Sequence, residues 1–294
     1  MDVSVIIVNY NTKQMTLDCI NSIFEKTVDV DFEVILIDNN STDGSREVFD
    51  SDSRIKYFYL NENLGFGKAN NYGIERAVGE YIFCLNSDTT LLNNAIFEFF
   101  KFAKETGHLG CIGSMLLKKD KTENLSYGKF PDWKEHLMLR LKGPVYKLVG
   151  KVYLLNEFNY KDKNNAYSFD VDFVTGADLF VKKETLKFGA FDPDFFMYFE
   201  ETELQYRLTK NGYGSKIITT PQIIHLDGGS FNGDKAKLTR RELMSLTSEF
   251  LYFKKTLSKI KYILFRSTFI LTRLPHLLVL NKDERTHYLE VLLS

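Results

Sequence analysis

The feature that most constrains the fold of this chain is the alternation of short β-branched runs with longer amphipathic runs. This pattern is typical of βαβ units, in which helices connect the strands of a mostly parallel sheet. We predict strands at residues 3–8, 33–37, 55–59, 81–85 and 109–116. We predict helices between them at residues 13–26, 67–77 and 94–106. The chain is therefore expected to form an α/β fold with a Rossmann-like central sheet and flanking helices.

Polar side chains follow three of these predicted strands, at the point where each strand ends. Asn9 and Asn11 follow the first strand, Asp38 follows the second, and Ser87 and Asp88 follow the fourth. Open α/β sheets bind their ligands in the crevice at the carboxyl ends of the strands. We therefore expect these side chains to line a ligand site, in which Asn9, Asn11 and Ser87 would contact a nucleotide.

Two residues are candidate metal ligands. Asp88 offers a hard carboxylate oxygen of the kind that Mg²⁺ and Mn²⁺ prefer, although Asn-Ser-Asp is also favourable turn chemistry. His225 precedes Gly228 and Gly229, which would let a loop close over a phosphate. A single histidine is also common in cores and on surfaces, so both interpretations of His225 stay open.

A nucleotide could be held by Asp38 and by the segment at residues 61–71. Asp38 could accept a hydrogen bond from the imide N–H of uracil or thymine, and its alternative role as a helix cap is better served by Asp43. The segment runs from a loop into a helix, and glycines there allow close backbone approach to a phosphate. Its candidate contacts are Asn63, Gly65 and Asn70. An ordinary helix N-terminal turn would explain the segment equally well.

An acidic pair, Glu200 and Glu201, opens a predicted helix. A carboxylate here could take a proton from an attacking hydroxyl group, and the aromatic residues at 195–199 would raise its basicity by partial desolvation. Acids also favour helix N-termini through the macrodipole, so a structural role is the alternative. Tyr198 and Asp178 are candidate contacts for the second substrate, while a buried structural hydrogen bond would equally explain Asp178.

Composition excludes several classes of protein. With 294 residues, of which 44% are hydrophobic, the chain can bury a large core, and global disorder is not expected. The formal net charge of -1 gives no basic field to hold nucleic acid. The cysteines Cys19, Cys84 and Cys111 lie in apolar stretches without metal spacing and are predicted to be buried free thiols of a reducing compartment. The sequence carries neither a secretory signal pattern nor an uninterrupted apolar span, so we expect a cytoplasmic protein.

The ordered set of motifs resembles the family 2 glycosyltransferases with the GT-A fold, and within them the bacterial rhamnosyltransferase-like group. In chain order, the motifs that carry the resemblance are Val3-Ser4-Val5-Ile6-Ile7-Val8-Asn9-Tyr10-Asn11, Asp38-Asn39-Asn40-Ser41-Thr42-Asp43-Gly44-Ser45, Asn63-Leu64-Gly65-Phe66-Gly67, Asn86-Ser87-Asp88, Gly176-Ala177, Phe199-Glu200-Glu201, and His225 with Gly229-Ser230. Each motif is common by itself, whereas their order along most of the chain is specific.

The resemblance implies an inverting transfer of a sugar from a UDP- or dTDP-sugar, with dTDP-rhamnose among the candidates. The acceptor would be a hydroxyl group of a glycan or lipid-linked glycan in bacterial surface polysaccharide synthesis. It implies that Asp38 contacts the base and that Asp88 and His225 bind Mg²⁺ or Mn²⁺ or the diphosphate. It further implies that Glu201 is the catalytic base, with Glu200 as the second candidate.

Two departures from the family pattern qualify these roles. Asn86 stands where the DxD-type motif usually has its first acid, so this motif supplies one carboxylate and metal affinity should be modest. Glu201 replaces a more usual Asp and is one methylene longer.

Two other functions stay open. One is a non-catalytic nucleotide-sugar-binding subunit that scaffolds a polysaccharide assembly complex. The other is a nucleotidyltransferase, which would be expected to carry a basic glycine-rich loop where this chain has Asn9-Tyr10-Asn11.

The domain organisation is predicted from changes in pattern. Residues 1–240 would form the GT-A catalytic domain, with a nucleotide-sugar half at about 1–117, an irregular insertion at 118–170 and an acceptor half at about 170–232. Residues 241–294 would form a helical C-terminal appendage.

Within this appendage, residues 250–280 contain no acidic residue, and six Lys or Arg residues interrupt an apolar run. Such a region can lie on anionic lipid at the inner face of the cell membrane, or it can pack on the catalytic domain or across a homodimer.

Overall fold

A computed structural model of the chain describes residues 1–135, 167–226, 240–277 and 289. The strands are β1 (Val3–Asn9), β2 (Phe32–Asp38), β3 (Lys56–Tyr59), β4 (Tyr81–Asn86), β5 (Thr89–Leu91), β6 (Cys111–Ser114), β7 (Tyr127–Gly128), β8 (Ser168–Val171), β9 (Phe173–Val174), β10 (Asp178–Lys182), β11 (Ser215–Ile218) and β12 (Ile223–His225). The helices are α1 (Lys13–Lys26), α2 (Ser45–Phe49), α3 (Phe66–Arg76), α4 (Ala95–Thr106), α5 (Glu200–Lys210), α6 (Arg240–Thr256) and α7 (Lys259–Leu277), with a 3₁₀ helix at Lys183–Phe188.

Within the described ranges, the central sheet has eight strands in the order β3-β2-β1-β4-β10-β6-β11-β8. Strand β1 pairs in parallel with β2 and β4, and β2 pairs in parallel with β3. Strand β10 is antiparallel to both of its neighbours, β4 and β6. The predicted α/β architecture, with a mostly parallel central sheet and flanking helices, is confirmed.

Both faces of this sheet are covered, which explains why its strands are nearly continuous apolar runs. In β1, Val5 and Ile7 belong to one buried apolar cluster and Ile6 to another, as the two-residue period of a strand requires. On the first of these faces, Phe99 of α4 stacks on Phe180 of β10 with ring centroids 5.4 Å apart. The polar loops at the strand ends are therefore held by a rigid core.

The predicted helices are confirmed to within one residue at each end, and α1 begins and ends where predicted. The predicted strand at 109–116 is shorter, because β6 spans only Cys111–Ser114. We did not predict β5, β7, β8, β10 or β12. Strands β5 and β12 have three residues each, too few to show a period, and their pairing joins distant parts of the sequence.

The chain divides into two compact units. The first contains residues 1–129, 166–196 and 200–233, and it holds the central sheet with α1 to α5. The second contains residues 130–165, 197–199 and 234–294, and it includes α6 and α7. The C-terminal helices that were predicted are therefore present. Part of the predicted insertion, at 136–166, and the motif residues Gly229 and Ser230 lie outside the described residues.

The three cysteines are buried and free, as predicted. Burial raises the pKa of Cys19 and Cys84 to about 12 and raises that of Cys111 as well, so these thiols are chemically inert. None of the helices that the structure describes is long and apolar enough to cross a bilayer.

Candidate functional site

The polar residues predicted to line the site meet at one edge of the sheet. Asn9, the last residue of β1, is level with Asp38 at the end of β2, and the preceding Val8 is level with Asn86 at the end of β4. Because these three strands are parallel, their carboxyl ends open on the same side. The side chains that were expected to line a crevice therefore share one edge of the sheet.

The structure brings Asp88 and His225 together through a small two-stranded sheet. Strand β5 begins immediately after Asp88 and pairs antiparallel with β12, so that Thr89 faces His225. The Asp88 carbonyl accepts a hydrogen bond of 3.1 Å from the N–H of Leu226. His225 Nε2 consequently lies 3.3 Å from Asp88 Oδ1 and 3.3 Å from Asn86 Nδ2.

This spacing fits two ligands of one divalent ion. Adjacent ligands of an octahedral ion, each about 2.1 Å from the metal, lie about 3.0 Å apart, close to the 3.3 Å between Asp88 Oδ1 and His225 Nε2. Among the residues that the structure describes, no group of three or more His, Cys, Asp and Glu side chains could hold a metal. An ion here would therefore take its other ligands from a bound diphosphate and water.

Asp38 is fully buried, and both of its carboxylate oxygens already accept hydrogen bonds from the protein. The Ser41 N–H donates to Oδ1 at 2.8 Å, and the Tyr57 hydroxyl donates to Oδ2 at 2.9 Å. Burial, and next the bonded Asp38, raise the pKa of Tyr57 well above its usual value, which keeps this hydroxyl a donor. Asp43 accepts from the N–H of Ser45 at the start of α2, but the N-cap residue of this helix is Gly44, and no side chain makes the capping hydrogen bond. Asp38 thus has a structural role as well, and its contact with a base stays a prediction.

Asn9, Asn11 and Ser87 belong to a hydrogen-bond network that ties the strand-end loops together. Asn9 donates to Ser41 Oγ at 3.0 Å and accepts from the Thr12 hydroxyl at 2.8 Å. The Thr12 hydroxyl also lies 3.0 Å from Ser87 Oγ, and the Asn11 N–H donates to Ser41 Oγ. These contacts give the three residues a role in holding the shape of the crevice. Their predicted contact with a nucleotide stays a prediction.

Asn39 is a residue of this site that sequence reasoning did not select. Its amide donates to Asn63 Oδ1 at 2.8 Å and to the Gly65 carbonyl at 3.3 Å, and it accepts from the Leu64 N–H at 2.8 Å. Asn39 therefore fixes the loop before α3. The signal was its place directly after Asp38 in the strand-end motif. Asn70, the other predicted contact in this segment, is buried and donates to the Phe66 carbonyl.

Gly65 is explained by a close backbone approach. It has φ +82°, and a Cβ atom at this position would lie 2.2 Å from the Phe196 carbonyl oxygen. That oxygen accepts a hydrogen bond of 2.9 Å from the Phe66 N–H, the first amide of α3. The glycine thus lets the loop that leads to Glu200 dock on the helix start. A nucleotide contact of Gly65 stays a prediction.

Glu200 and Glu201 occupy the first turn of α5, as predicted. Glu200 is buried and Glu201 is partly exposed. Burial raises the pKa of both carboxyl groups, and the charge of Glu201 raises that of Glu200 further. Hydrogen bonds from the Glu201 and Thr202 N–H groups and from the Thr202 hydroxyl oppose the shift at Glu201. Glu200 therefore retains its proton more strongly, and Glu201 is the better candidate for an ionised base.

Two consecutive residues link this acidic pair to the end of β4. The Ala177 carbonyl accepts a hydrogen bond of 2.9 Å from the Asn86 N–H. A Cβ atom on the adjacent Gly176 would lie 3.7 Å from the Cβ of Glu201. The segment that touches the Asn-Ser-Asp motif therefore also contacts the candidate base.

The two predicted acceptor contacts lie in different surroundings. Asp178 has no exposed surface, and its Oδ2 accepts from the N–H and hydroxyl groups of Ser114 at 2.7 and 2.5 Å. Burial raises its pKa to about 7, although the bonds from Ser114 oppose this shift. Tyr198 belongs to the second unit, where the Arg241 guanidinium lies 5.8 Å from its ring. The alternative interpretation of Asp178 was a buried structural hydrogen bond, and Asp178 makes such a bond. The contacts of Asp178 and Tyr198 with the acceptor stay predictions.

Comparison with known proteins identifies the family. The model of glycosyl transferase family 2 matches residues 4–184, which include β1 to β10, Asp88 and Asp178. The chain belongs to glycosyl transferase family 2. The predicted resemblance to this family is confirmed.

Two sequence relatives and one solved structure of similar fold illustrate what this family 2 chain resembles. TuaG of Bacillus subtilis, named for teichuronic acid biosynthesis, is 34% identical over 107 residues, 35% of this chain and 42% of TuaG. A Campylobacter jejuni GalNAc(5)-diNAcBac-PP-undecaprenol beta-1,3-glucosyltransferase is 28% identical over 61% of this chain and 62% of that protein. The crystal structure of GalNAc-T7 with UDP, GalNAc and Mn²⁺ has a TM-score of 0.61 at 14% identity, over 86% of this chain and 48% of the GalNAc-T7 chain.

The family model establishes the family, and the structural likeness establishes the fold. The match spans less than two-thirds of the length of each relative. The predicted GT-A fold is confirmed.

Proposed function

We propose that this family 2 chain is an inverting glycosyltransferase that uses a UDP- or dTDP-sugar, with dTDP-rhamnose among the candidate donors. The acceptor is a hydroxyl group of a glycan or lipid-linked glycan in the synthesis of a bacterial surface polysaccharide. The single observation that carries the proposal is the pairing of Asp88 with His225, 3.3 Å apart, at the carboxyl edge of the sheet. The names of TuaG and of the undecaprenol-linked glucosyltransferase support the class of acceptor.

The site supplies what departure of a nucleoside diphosphate requires. Asp88 and His225 would hold Mg²⁺ or Mn²⁺, and the ion would neutralise the charge that develops on the leaving diphosphate. The Mn²⁺ and UDP bound to GalNAc-T7 support this assignment. Because Asn86 is neutral, the protein alone should bind the ion weakly and the ion should bind together with the diphosphate.

Glu201 is proposed as the base. Its carboxylate takes the proton of the acceptor hydroxyl while that oxygen forms a bond to the anomeric carbon from the face opposite the diphosphate. The bond from the anomeric carbon to the diphosphate breaks, and the diphosphate leaves with the electron pair. Glu200 retains its proton more strongly, so it places no second negative charge beside the Glu201 carboxylate.

The remaining contacts complete the proposal. The proposed nucleotide contacts are Asn9, Asn11, Asp38, Asn63, Gly65, Asn70 and Ser87. The proposed acceptor contacts are Asp178, which would need local rearrangement to be reached, and Tyr198. Residues 1–240 are proposed as the catalytic domain and residues 241–294 as a basic appendage. The enzyme would act in the cytoplasm, at the inner face of the cell membrane.

A thermal-shift screen tests the donor and the metal together. UDP, dTDP, UDP-sugars and dTDP-rhamnose are each added with and without Mn²⁺, and GDP serves as the control base. A uracil or thymine nucleotide should raise Tm, and more so with Mn²⁺. Stabilisation by GDP alone, or by none of these nucleotides, would contradict the proposal.

The base is tested by one isosteric change. Glu201→Gln should abolish transfer from the donor that the screen identifies while the donor-dependent shift in Tm is retained. Glu203→Gln, in the same helical turn, is the control and should keep most of the turnover. Unchanged turnover in Glu201→Gln would remove Glu201 from its proposed role.

A further inference from the structure

Helix α7 has two apolar faces, and one of them packs within the second unit. Phe265 lies with its ring centroid 4.5 Å from that of Phe253 on α6, and Phe269 lies 4.8 Å from Phe250 on α6. All four rings are buried. This aromatic contact buries one face of α7 against α6, as expected for an amphipathic helix of a globular domain.

The opposite face of α7 carries large apolar side chains that are exposed. Ile260, Ile263, Leu264 and Leu271 have exposed fractions of 73%, 52%, 54% and 65%. At 100° per residue, these four positions fall within an arc of about 100°. They lie on one side of the helix, with the exposed Ser267 between Leu264 and Leu271, and we call these four residues the outer strip. Exposed apolar side chains that line up in this way mark a contact surface.

Cations border the outer strip on both sides. Lys259 and Lys261 are exposed, and each lies about 100° around the helix from Ile260, in opposite directions. Lys254, near the end of α6, is exposed as well. Residues 250–280 contain no acidic side chain. An apolar strip with a lysine on each side of its first turn matches an interfacial helix, whose apolar face enters the acyl boundary while lysines reach the headgroups.

We propose that the outer strip of α7 is a docking surface for an anionic lipid bilayer, on which the helix lies parallel to the membrane plane. A second copy of this chain fits the surface less well, because self-docking would bring the same lysines close to one another without acids to neutralise them. The proposal assigns contact with lipid to the four residues of the outer strip and excludes the phenylalanines that pack on α6. It does not depend on sugar transfer.

Vesicle co-sedimentation of the full chain tests this surface. The wild type should bind vesicles that contain phosphatidylglycerol and should bind phosphatidylcholine vesicles much less. Ile263→Ser combined with Leu264→Ser removes two exposed side chains from the outer strip and should lower the partition coefficient roughly tenfold or more. The matched control, Val78→Ser combined with Leu125→Ser, removes two side chains of similar exposure from the first unit and should leave binding unchanged.

The charge requirement is tested separately. Lys254→Gln, Lys259→Gln and Lys261→Gln together should weaken binding to the anionic vesicles, and added salt should weaken wild-type binding. Unfolding midpoints in urea establish that each variant is folded.

Three results would overturn the proposal: no vesicle binding by the wild type, equal binding of the wild type to both vesicle types, or undiminished binding by the outer-strip variant. A dimer that the outer-strip variant converts to monomer, without a change in vesicle binding, would assign the surface to a second copy. None of these measurements requires a nucleotide, so they can fail independently of the proposed transferase activity.

Discussion

Replacement of Gly65 by alanine should be costly for two separate reasons. The backbone at Gly65 has φ +82° and ψ 177°, a region that only glycine adopts without strain. An alanine there should cost about 1–3 kcal/mol of stability through strain alone. In addition, the new Cβ would lie 2.2 Å from the Phe196 carbonyl oxygen, and that oxygen belongs to the backbone.

The clash can be relieved only by moving the Phe196 carbonyl away from α3. This movement breaks the 2.9 Å hydrogen bond from the Phe66 N–H. Loss of this backbone hydrogen bond should cost about 0.5–1.5 kcal/mol, because Phe66 is only partly buried. Gly65→Ala should therefore lower the free energy of unfolding by about 1.5–4.5 kcal/mol in total.

Gly212→Ala is the matched control. Gly212 has φ +88°, and a Cβ atom there would meet no other atom within 4 Å. The control therefore measures backbone strain at positive φ without a clash. Urea unfolding of the wild type and both variants, followed by circular dichroism, should show a clearly larger loss for Gly65→Ala than for Gly212→Ala. Equal losses would refute the docking of Phe196 on the start of α3.

Two pH dependences follow from the buried acids. If Glu201 is the base, the acid limb of the kcat/KM profile should lie above the usual range of a glutamate, because burial raises the pKa of this carboxyl; a limb at the ordinary glutamate value would contradict that role. Asp178 should make the fold less stable as pH rises, because its pKa is 3.8 as a free side chain and about 7 in the folded protein. The stability that it contributes is complete below about pH 4 and is lost through about pH 7, by up to about 4 kcal/mol. Asp178→Asn should flatten this part of the urea-unfolding profile against pH, and an unchanged slope would show that other groups cause it.

Most of the strands and helices in residues 1–117 could be predicted because their signals are local. Strand β1 is apolar except for Ser4 and Asn9, and most of the buried positions of α1 follow a helical period. Asp38 and Asp88 each follow a predicted parallel strand, and the carboxyl ends of parallel strands lie at the same edge of a sheet. Their shared edge could therefore be predicted without knowing any contact.

The pairing of Asp88 with His225 could not be derived from the residues alone. It depends on the contact between β5 and β12, two three-residue strands that are far apart in the sequence. The buried bond from Asp178 to Ser114 also depends on a strand, β10, that inserts antiparallel between β4 and β6. Likewise, sequence gave no reason to connect Gly65 with Phe196, because nothing local indicates a backbone approach from a distant loop.

The central claim is that Asp88 and His225 bind a divalent ion together with the diphosphate of the donor. Calorimetric titration of UDP into the wild type, Asp88→Asn and Asn86→Ala, each with and without Mn²⁺, tests it without knowledge of the acceptor. We predict that Mn²⁺ tightens UDP binding to the wild type, that Asp88→Asn removes this gain, and that Asn86→Ala keeps most of it. An equal Mn²⁺ effect in the wild type and Asp88→Asn, or a larger loss in Asn86→Ala, would contradict the claim.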